Sequence, residues 1–449
     1  MKIKYKYILF IVLVNISFNS LRSQNFSYTV FNEILFYDGY ATVVSDPVPQ
    51  GVIRHRNDLY ARKLPETVLA SFGDQITMNI TIKAACDNYD RIGNVNLAFV
   101  PKGQSTYDPD SVQRIEVGRY ITPFMDKNVS PTEVPYTYTV DNLDKIFKDS
   151  AINAMYDIWV ELELFGVPYA ANTQITGCAG RNDVFFGTLE FVSTGVFTQN
   201  PPQSFLLPLS MKANFNNYQA GATDQIGTTT KTITFNLIDN IENAKLYLIT
   251  SNHGANSGGE EYVRRWHYVS FDGNQVLSYQ PGGISCEPYR VYNTQANGIY
   301  GSSPQSFFWW VSWNNWCPGN SIPIREINLG DLTAGTHTFV ISVPDAQFAS
   351  QQGNFPLSLY LQGNYLNTAG LEDVNGTAFK IYPNPVSDFV LIDSSENIKN
   401  VSVFNVLGER EDCKITSNRV DMSGLESGVY FLKLEFVNGT KVNRKIIKQ

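Results

Sequence analysis

The chain has 449 residues and a formal net charge of −8 at pH 7, a length that suggests two or three domains. Hydrophobic residues make up 43% of it, aromatic residues 13% and charged residues only 17%, which is typical of β-rich extracellular proteins. An acidic chain without basic stripes argues against binding to nucleic acid and to anionic membrane surfaces.

The N-terminus, residues 1–23, is predicted to be a signal peptide. Three lysines within the first six residues precede an apolar stretch from Ile8 to Ile16. That stretch is too short to be a stable membrane anchor, which is the alternative. We expect cleavage near Ser23, which removes four basic residues and lowers the net charge from −8 to −12.

Five cysteines in an exported chain favour disulfide formation. Cys286 and Cys317 flank one loop-rich stretch and are the favoured pair, whereas Cys86 with Cys178 is a plausible second pair. Cys413 is then unpaired. None of the five lies in a CxxC pattern, so no zinc site is predicted.

Short apolar runs alternate with Gly, Asn, Pro and Asp clusters, which predicts an all-β protein built from sandwich or jelly-roll domains. The predicted strands are 75–82, 94–100, 158–164, 232–237, 244–250, 262–271 and 337–343. One short segment, 142–154, is a helix candidate. Composition shifts at 194–203 and 363–375 divide the chain into predicted domains 24–195, 196–366 and 372–449.

The first candidate site is the segment Cys86–Arg91 (CDNYDR), which places Asp90 and Arg91 in a loop between two predicted strands. Such a pair is either a solvated ion pair of about 0–1 kcal/mol or part of a catalytic site. The residues alone leave both readings open.

The second candidate is the strand 158–164, where alternation puts Trp159, Glu161 and Glu163 on one face. This face is either exposed to water or lines a cleft. In a cleft, a sugar would stack on Trp159 and an acid would polarise water.

The third candidate is a Gly-rich loop between His253 and Glu261 that leads into the predicted strand 262–271. Alternation would place Glu261, Arg265 and His267 on one face, where the two basic residues favour an ionised acid. An ordinary surface salt-bridge cluster is the alternative.

The fourth candidate is an aromatic cluster, because five of the six tryptophans lie between Trp266 and Trp316. These side chains serve either as core or as a platform for the apolar face of a sugar.

The last segment combines YPNP at 382–385, NVLG at 405–408 and SGVYFLKL at 427–434. Together these motifs resemble the type A sorting domain of type IX secretion substrates. The resemblance implies export across the outer membrane by the type IX secretion machinery, followed by removal or surface attachment of the tail. A generic Ig-like appendage is the alternative.

Five further motifs, in one order over about residues 70–345, resemble the peptide-N-glycosidase F family. They are CDNYDR, RIEVGRYITPF at 114–124, IWVELEL, GGEEYVRRWH and WCPG. The resemblance implies two adjacent eight-stranded antiparallel jelly-roll domains with the active site in the cleft between them. It also implies hydrolysis of the amide that joins an N-glycan to asparagine in glycosylated peptides or glycoproteins.

The same resemblance implies roles for individual residues. The principal catalytic aspartate corresponds to Asp90, and two further acids correspond to Glu161 and Glu261. The half-cystines correspond to Cys286 and Cys317. The residues expected to bind the substrate are Arg91, Arg265, His253, Trp266, Trp313 and Trp159.

Several positions depart from the family pattern. Trp313 replaces an arginine that is implied to hold the substrate amide oxygen, so Arg91 or Arg265 would have to take over that contact, or activity changes. Glu163 replaces a tryptophan. Gly259 and Val263 replace two cysteines, which removes a local disulfide.

The expected reaction is amide hydrolysis by a monomer without metal or cofactor. Asp90 would activate a water, Arg91 would stabilise charge on oxygen, and Glu261 would position the first GlcNAc and the water. Glu161 would be a supporting acid. Four histidines are too few for two multi-His copper sites, and HExxH and GxSxG motifs are missing. An endoglycosidase and a non-catalytic glycan-binding protein are the alternatives.

Overall fold

The structure is a computed structural model, and it describes 25–195, 204–215, 227–255, 259–348, 353–365, 379–394, 397–406, 408–416, 418–437 and 441–449. The predicted signal peptide at 1–23 lies outside these residues. Within them, the helices are all too short or too polar to cross a membrane.

The first domain is a sandwich of two antiparallel sheets. Its strands are β1 (Phe26–Tyr37), β2 (Val52–Arg56), β3 (Leu59–Lys63), β4 (Gln75–Ala84), β5 (Ile92–Pro101), β6 (Gln113–Ile121), β7 (Glu133–Thr139), β8 (Tyr156–Leu164) and β9 (Asp183–Thr194). Its short helices are α1 (Glu66–Leu69), α2 (Leu143–Phe147), α3 (Ser150–Met155) and α4 (Ala171–Gln174), with a 3-10 turn at Pro109–Ser111. One sheet has the order β1-β9-β4-β7, and the other contains β6-β5-β8-β3-β2.

The second domain repeats this architecture. Its strands are β10 (Ser204–Asn214), β11 (Thr229–Leu237), β12 (Ile241–Thr250), β13 (His267–Phe271), β14 (Asn274–Tyr279), β15 (Ser321–Ile322), β16 (Arg325–Leu332), β17 (Gly335–Val343) and β18 (Pro356–Tyr365). Its helix α5 spans Phe307–Val311, and a 3-10 segment spans Glu287–Tyr292. The sheets have the orders β10-β18-β12-β16 and β11-β17-β13-β14, while the short β15 pairs with β6 of the first domain.

The C-terminal segment forms a small sandwich of two four-stranded sheets, β19-β20-β24-β23 and β22-β21-β25-β26. Its strands are β19 (Phe379–Tyr382), β20 (Phe389–Ser394), β21 (Ile398–Asn405), β22 (Arg410–Glu411), β23 (Ile415–Thr416), β24 (Arg419–Asp421), β25 (Gly428–Phe436) and β26 (Lys441–Lys448). The predicted all-β class is confirmed.

Alternating side chains explain why these segments are strands. In β4, Ile76, Met78, Ile80 and Ile82 are completely buried, while the residues between them are partly exposed. A period of two puts all four on one face, where they join the core between the sheets. The helix candidate 142–154 is two helices rather than one, because the Asp149 side chain accepts hydrogen bonds from the first N–H groups of α3 and restarts the helix there.

One predicted strand is shorter than expected. Of the segment 262–271, only β13, His267–Phe271, is extended in the sheet, and Tyr262–Trp266 form turns and loop. The Asn315 side-chain amide donates to the backbone carbonyls of Glu260 (3.0 Å), Glu261 (2.5 Å) and Val263 (3.2 Å). Because these carbonyls bond to a side chain, they are not paired with a neighbouring strand. The prediction that Glu261, Arg265 and His267 share a strand face is therefore wrong.

Both predicted disulfides are confirmed. Cys86 is bonded to Cys178 in the first domain, and Cys286 is bonded to Cys317 in the second. Cys413 is a free cysteine in the tail. The second disulfide closes the aromatic-rich loop of the second domain, a constraint worth about 3–4 kcal/mol in the chain-entropy view.

The first two domains meet through buried polar groups. The Arg119 guanidinium on β6 is fully buried and binds Glu116 at 2.7 and 2.8 Å. Its Nη1 also donates to Ser251 Oγ (2.8 Å) and to the Pro356 carbonyl (2.9 Å) of the second domain. Ser358 donates to Glu116 across the same boundary.

We predict that Arg119→Ala lowers the free energy of unfolding by about 3–5 kcal/mol, because it leaves the Glu116 carboxylate buried without its partner. Chemical denaturation measures this change. The control is Lys83→Ala, which removes an exposed ion pair with Glu33 and should change the free energy of unfolding very little, because water screens such a pair. Equal effects of the two substitutions would contradict the role assigned to Arg119.

Candidate active site

A cavity of about 270 Å³ lies between the first two domains. The first domain supplies its wall from the loop before β5, the end of β6 and the residue after β8. The second domain supplies loops after β12 and beside the Cys286–Cys317 disulfide. The lining residues are Asp90, Arg91, Ile92, Ile121, Phe165, His253, Glu261 and Trp316.

The loop that carries Asp90 and Arg91 is built around the buried carboxylate of Asp87. This carboxylate accepts hydrogen bonds from the backbone N–H groups of Tyr89 (2.9 Å) and Val167 (2.8 Å). It also accepts from Arg91 Nε (2.6 Å) and Nη2 (3.2 Å). Arg91 is thereby held in one orientation, and Nη1 is the guanidinium nitrogen that these bonds do not use.

Asp90 is a partly buried carboxylate with an altered proton affinity. Desolvation, and next the negative charge of Glu261, raise the pKa of Asp90 to about 7, against the opposing charge of Arg91. Among the described residues, only the backbone N–H of Asp90 itself is seen to bond to this carboxylate. Asp90 is therefore free to hold a water and has a proton affinity suited to a base near neutral pH.

Glu261 reaches the cavity from the second domain and is almost completely buried. Its carboxylate accepts a hydrogen bond from the Gly254 N–H at 2.8 Å and another from the Tyr262 hydroxyl. Desolvation raises the pKa of Glu261 in spite of these bonds. Two carboxyl groups from different domains thus face one cavity, and the charge of Glu261 disfavours ionisation of Asp90.

Two aromatic residues support Glu261 from outside the cavity lining. Tyr262 bonds to the Glu261 carboxylate, and its ring packs edge-on against Trp313 at 5.3 Å. Trp313 also packs against Trp309 at 5.2 Å. The indole that replaces the family arginine therefore belongs to a packed aromatic cluster, and its contact with the site passes through Tyr262.

His253 lines the same cavity as Asp90 and Glu261, and its ring packs against that of Trp316 with the ring centroids 5.9 Å apart. Its Nε2 lies 2.6 Å from Ser251 Oγ. Desolvation, and next the charge of Arg119, lower the pKa of His253 to about 3. The imidazole is therefore neutral at neutral pH.

Glu161 lies elsewhere. It is fully buried on β8 and does not line the cavity. Its carboxylate accepts hydrogen bonds from Asn96 (2.9 Å), Tyr107 (2.8 Å) and Arg114 (2.5 and 2.9 Å). The face shared by Trp159, Glu161 and Glu163 is not water-exposed, because these residues are all buried.

The remaining predicted substrate contacts also lie outside the cavity lining. Trp159 packs in a small apolar cluster with Tyr107. Trp266 is 45% exposed and stacks on Tyr268. Arg265 binds the buried carboxylate of Glu260 at 2.8 and 3.1 Å, so it braces the loop that carries Glu261.

Sequence reasoning missed several residues of the site. Asp87 stands in the same motif as Asp90, yet nothing in the motif shows that Asp87 is the one that binds Arg91. Trp316 was visible in the WCPG motif and lines the cavity. Arg119 lies in the motif at 114–124, but nothing in that motif shows that it bonds to Ser251, because the two residues are 132 positions apart and meet only through the packing of the domains.

Comparisons with known proteins agree with this architecture. Family models match for the N-terminal domain of peptide-N-glycosidase F at residues 27–179, its C-terminal domain at 219–362, and the secretion system C-terminal sorting domain at 380–449. The sorting domain confirms type IX secretion to the cell surface or the exterior. A search of curated proteins found no match.

Among solved structures, two crystal forms of PNGF-II share the fold. They are 20% and 21% identical, with TM-scores of 0.54 and 0.53, and the alignments cover 76% of this chain. The chain spans 66% and 65% of these relatives, just under two thirds. PNGase F, a glycosylasparaginase from Flavobacterium meningosepticum, is 16% identical, with a TM-score of 0.46 over 76% of this chain and 96% of its own.

The two N-glycanase models together match most of the chain before the sorting domain. Residues from both matched regions line the same cavity. This protein therefore belongs to the peptide-N-glycosidase F family and carries a type IX sorting domain at its C-terminus.

Proposed function

We propose that this protein hydrolyses the amide that joins an N-glycan to asparagine in peptides or glycoproteins. One observation carries the proposal: Asp90 and Glu261, from two different domains, face a single partly dehydrated cavity beside Arg91. Membership of the family supports the choice of this reaction over others that use paired carboxylates.

In the proposed reaction, Asp90 takes a proton from a water that attacks the side-chain carbonyl carbon of the glycosylated asparagine. The Asp90 carboxylate is suited to this role because its pKa is about 7 and no bond from another described residue occupies it. Arg91, fixed by Asp87, stabilises the negative charge that develops on the carbonyl oxygen.

Asp90 then gives this proton to the amide nitrogen, the carbon–nitrogen bond breaks, and the nitrogen leaves with the sugar as an amine. The water oxygen stays in the new aspartate side chain, while the glycan departs as a 1-amino sugar that later loses ammonia. Glu261 is the residue we assign to the first GlcNAc and the attacking water, because the Gly254 N–H and the Tyr262 hydroxyl fix its carboxylate in the cavity.

For Glu161 we propose a structural role in place of the catalytic one expected from the sequence. Both of its carboxylate oxygens already accept hydrogen bonds from residues of the first domain, and Glu161 does not line the cavity. Its carboxylate balances the charge of Arg114 there.

A non-catalytic glycan-binding protein is the second candidate. The observation in its favour is Trp313, which packs against Tyr262 where the family has an arginine for the substrate oxygen. An endoglycosidase would use the same pair of carboxyl groups on a different bond.

We predict that the mature protein converts a glycopeptide into free glycan and a peptide with Asp at the former attachment site. In heavy-oxygen water, mass spectrometry should find one labelled oxygen in that Asp. A peptide that keeps one GlcNAc on Asn would mean an endoglycosidase, and an unchanged, retained glycopeptide would mean a binding protein. Either of these outcomes would overturn the proposal.

Asp90→Asn should lower the rate of this reaction by at least about 100-fold, because it removes the base. The matched control is Asp110→Asn, a change at an exposed carboxylate of the same domain, which should leave the rate unaltered. Full activity in Asp90→Asn would remove Asp90 from the mechanism.

The rate should depend on pH through Asp90. The base must be deprotonated, so kcat/KM should rise with pH and level off above about 7. Because the charge of Glu261 helps to raise the pKa of Asp90, Glu261→Gln should move this rise to lower pH, whatever its effect on the plateau. Glu33→Gln, an exposed control, should not move it. An identical midpoint in Glu261→Gln would show that the two carboxyl groups do not interact.

The same pKa predicts a pH-dependent change in stability. Below about pH 3.8 Asp90 is protonated in both the folded and unfolded states, and between 3.8 and about 7 only the unfolded chain releases the proton. The free energy of unfolding therefore falls as the pH rises from about 3.8, and the loss is complete once the pH has passed about 7. Asp90→Asn should be about 1–3 kcal/mol more stable than the native protein at pH 8 and should gain nothing at pH 3, as measured by chemical denaturation. A stability difference that is the same at both pH values would contradict this pKa.

A further inference from the structure

A chain of hydrogen bonds runs from the first domain into the wall of the cavity. Arg119 Nη1 donates to Ser251 Oγ at 2.8 Å, and Ser251 Oγ lies 2.6 Å from His253 Nε2. Arg119 and Ser251 are buried, and His253 is only 9% exposed. The chain therefore links the domain boundary to a residue that faces the substrate space.

The directions of these bonds follow from the donors available. An arginine can only donate, so the Ser251 oxygen accepts from Arg119. The single Ser251 hydrogen then points to His253 Nε2, because no other acceptor among the described residues is seen to bond to Oγ. If Nε2 donated instead, the buried hydroxyl hydrogen would have no partner, which costs about 1–3 kcal/mol.

This arrangement determines the tautomer of His253. Nε2 accepts a hydrogen bond, so it carries no proton. The ring is neutral at neutral pH, since desolvation and the charge of Arg119 hold the pKa of His253 near 3. The one remaining ring proton must therefore lie on Nδ1.

Because Nε2 is bonded to Ser251, Nδ1 is the ring nitrogen that can bond to a substrate in the cavity. Within the described part of the chain, no hydrogen bond engages it, and His253 lines the cavity together with Asp90, Arg91 and Glu261. A neutral imidazole N–H can polarise a carbonyl group in an active site.

This chain also lacks the arginine that the family resemblance implies as the partner of the substrate amide oxygen. Trp313 stands in place of the family arginine, and Arg265 is bound to Glu260. Three cavity-lining side chains carry polar hydrogens that do not depend on a carboxyl proton: those of Arg91, His253 and Trp316. The Trp316 indole N–H already donates to the Asn252 carbonyl at 2.8 Å, which leaves Arg91 and His253 as donors for the substrate oxygen.

We propose that the Arg119–Ser251 pair holds His253 as its Nδ1–H tautomer, and that His253 donates this hydrogen to the amide oxygen of the bound glycosylasparagine. The donor role rests on the proposed function, whereas the tautomer does not. Arg119 and Ser251 are then positioning residues that act from the domain boundary, and His253 is the catalytic residue.

Ring-nitrogen NMR of the histidine-labelled full chain tests the tautomer. The chain has four histidines, and the signal of His253 is assigned by its loss in His253→Asn. We expect a protonated Nδ1 and an unprotonated Nε2 that do not change between about pH 5 and pH 8. Ser251→Ala should give a mixture of the two tautomers, whereas Ser278→Ala, an exposed serine of the same domain, should not. A protonated Nε2 in the native protein would overturn the relay.

Steady-state rates on a glycopeptide test the donor. His253→Phe removes the N–H and should lower kcat by about 100-fold. His253→Asn places an amide N–H near the position of Nδ1 and should retain at least about tenfold more activity than His253→Phe. Ser251→Ala should lower kcat more than it changes KM. Equal activity of His253→Phe and the native protein would overturn the donor role.

A third measurement separates failure of this inference from failure of the proposed function. In Asp90→Asn, saturation with an intact glycopeptide should shift the Nδ1–H proton signal of His253 downfield, because the bond forms on binding and needs no turnover. If the native protein binds without hydrolysis, the shift still tests the donor. No shift on a saturated protein would reject it.

Discussion

The buried pair of Glu116 and Arg119 is the interaction on which the site depends. Neither side chain is exposed to water, so both lose their hydration on folding. That loss is offset because Arg119 makes two bonds to Glu116, and further bonds cross from the pair to Ser251, Pro356 and Ser358 of the second domain. We infer that the pair fixes the orientation of one domain against the other, since apolar contacts lack the direction of these bonds.

Orientation matters here because neither domain holds the site alone. Asp90 and Arg91 come from the first domain, whereas His253 and Glu261 come from the second. A small rotation at the boundary would separate the two carboxyl groups and lower the pKa of Asp90 by weakening the effect of Glu261. Within the first domain, Asp87 has the matching role: it fixes Arg91, so that the guanidinium can face the cavity without pairing with Asp90.

Sequence reasoning succeeds where a pattern has a local physical cause. The alternation in β4 predicts its buried face, and export predicts the two disulfides. It fails where a distant segment decides the outcome. Alternation correctly puts Glu161 and Glu163 on one face of β8, but it cannot show that Lys212 of the second domain covers that face and bonds to Glu163. The sequence of Tyr262–Trp266 is typical of a strand, but the Asn315 amide, more than 50 residues away, donates hydrogen bonds to the backbone carbonyls of Glu260 and Val263.

The departure at Trp313 also has a physical consequence for the chemistry. An arginine at the substrate oxygen would supply a full charge, whereas the indole of Trp313 is neutral. This indole packs against Tyr262 and Trp309. Arg91 still carries its charge into the cavity, so the oxygen is not left without a cation. A second donor is then best neutral, since another positive charge in so small a cavity would lower the pKa of Asp90 and weaken it as a base. An imidazole kept neutral by burial and by the charge of Arg119 meets that requirement, and the residue that joins the domains thereby also helps to keep the cavity-lining His253 unprotonated.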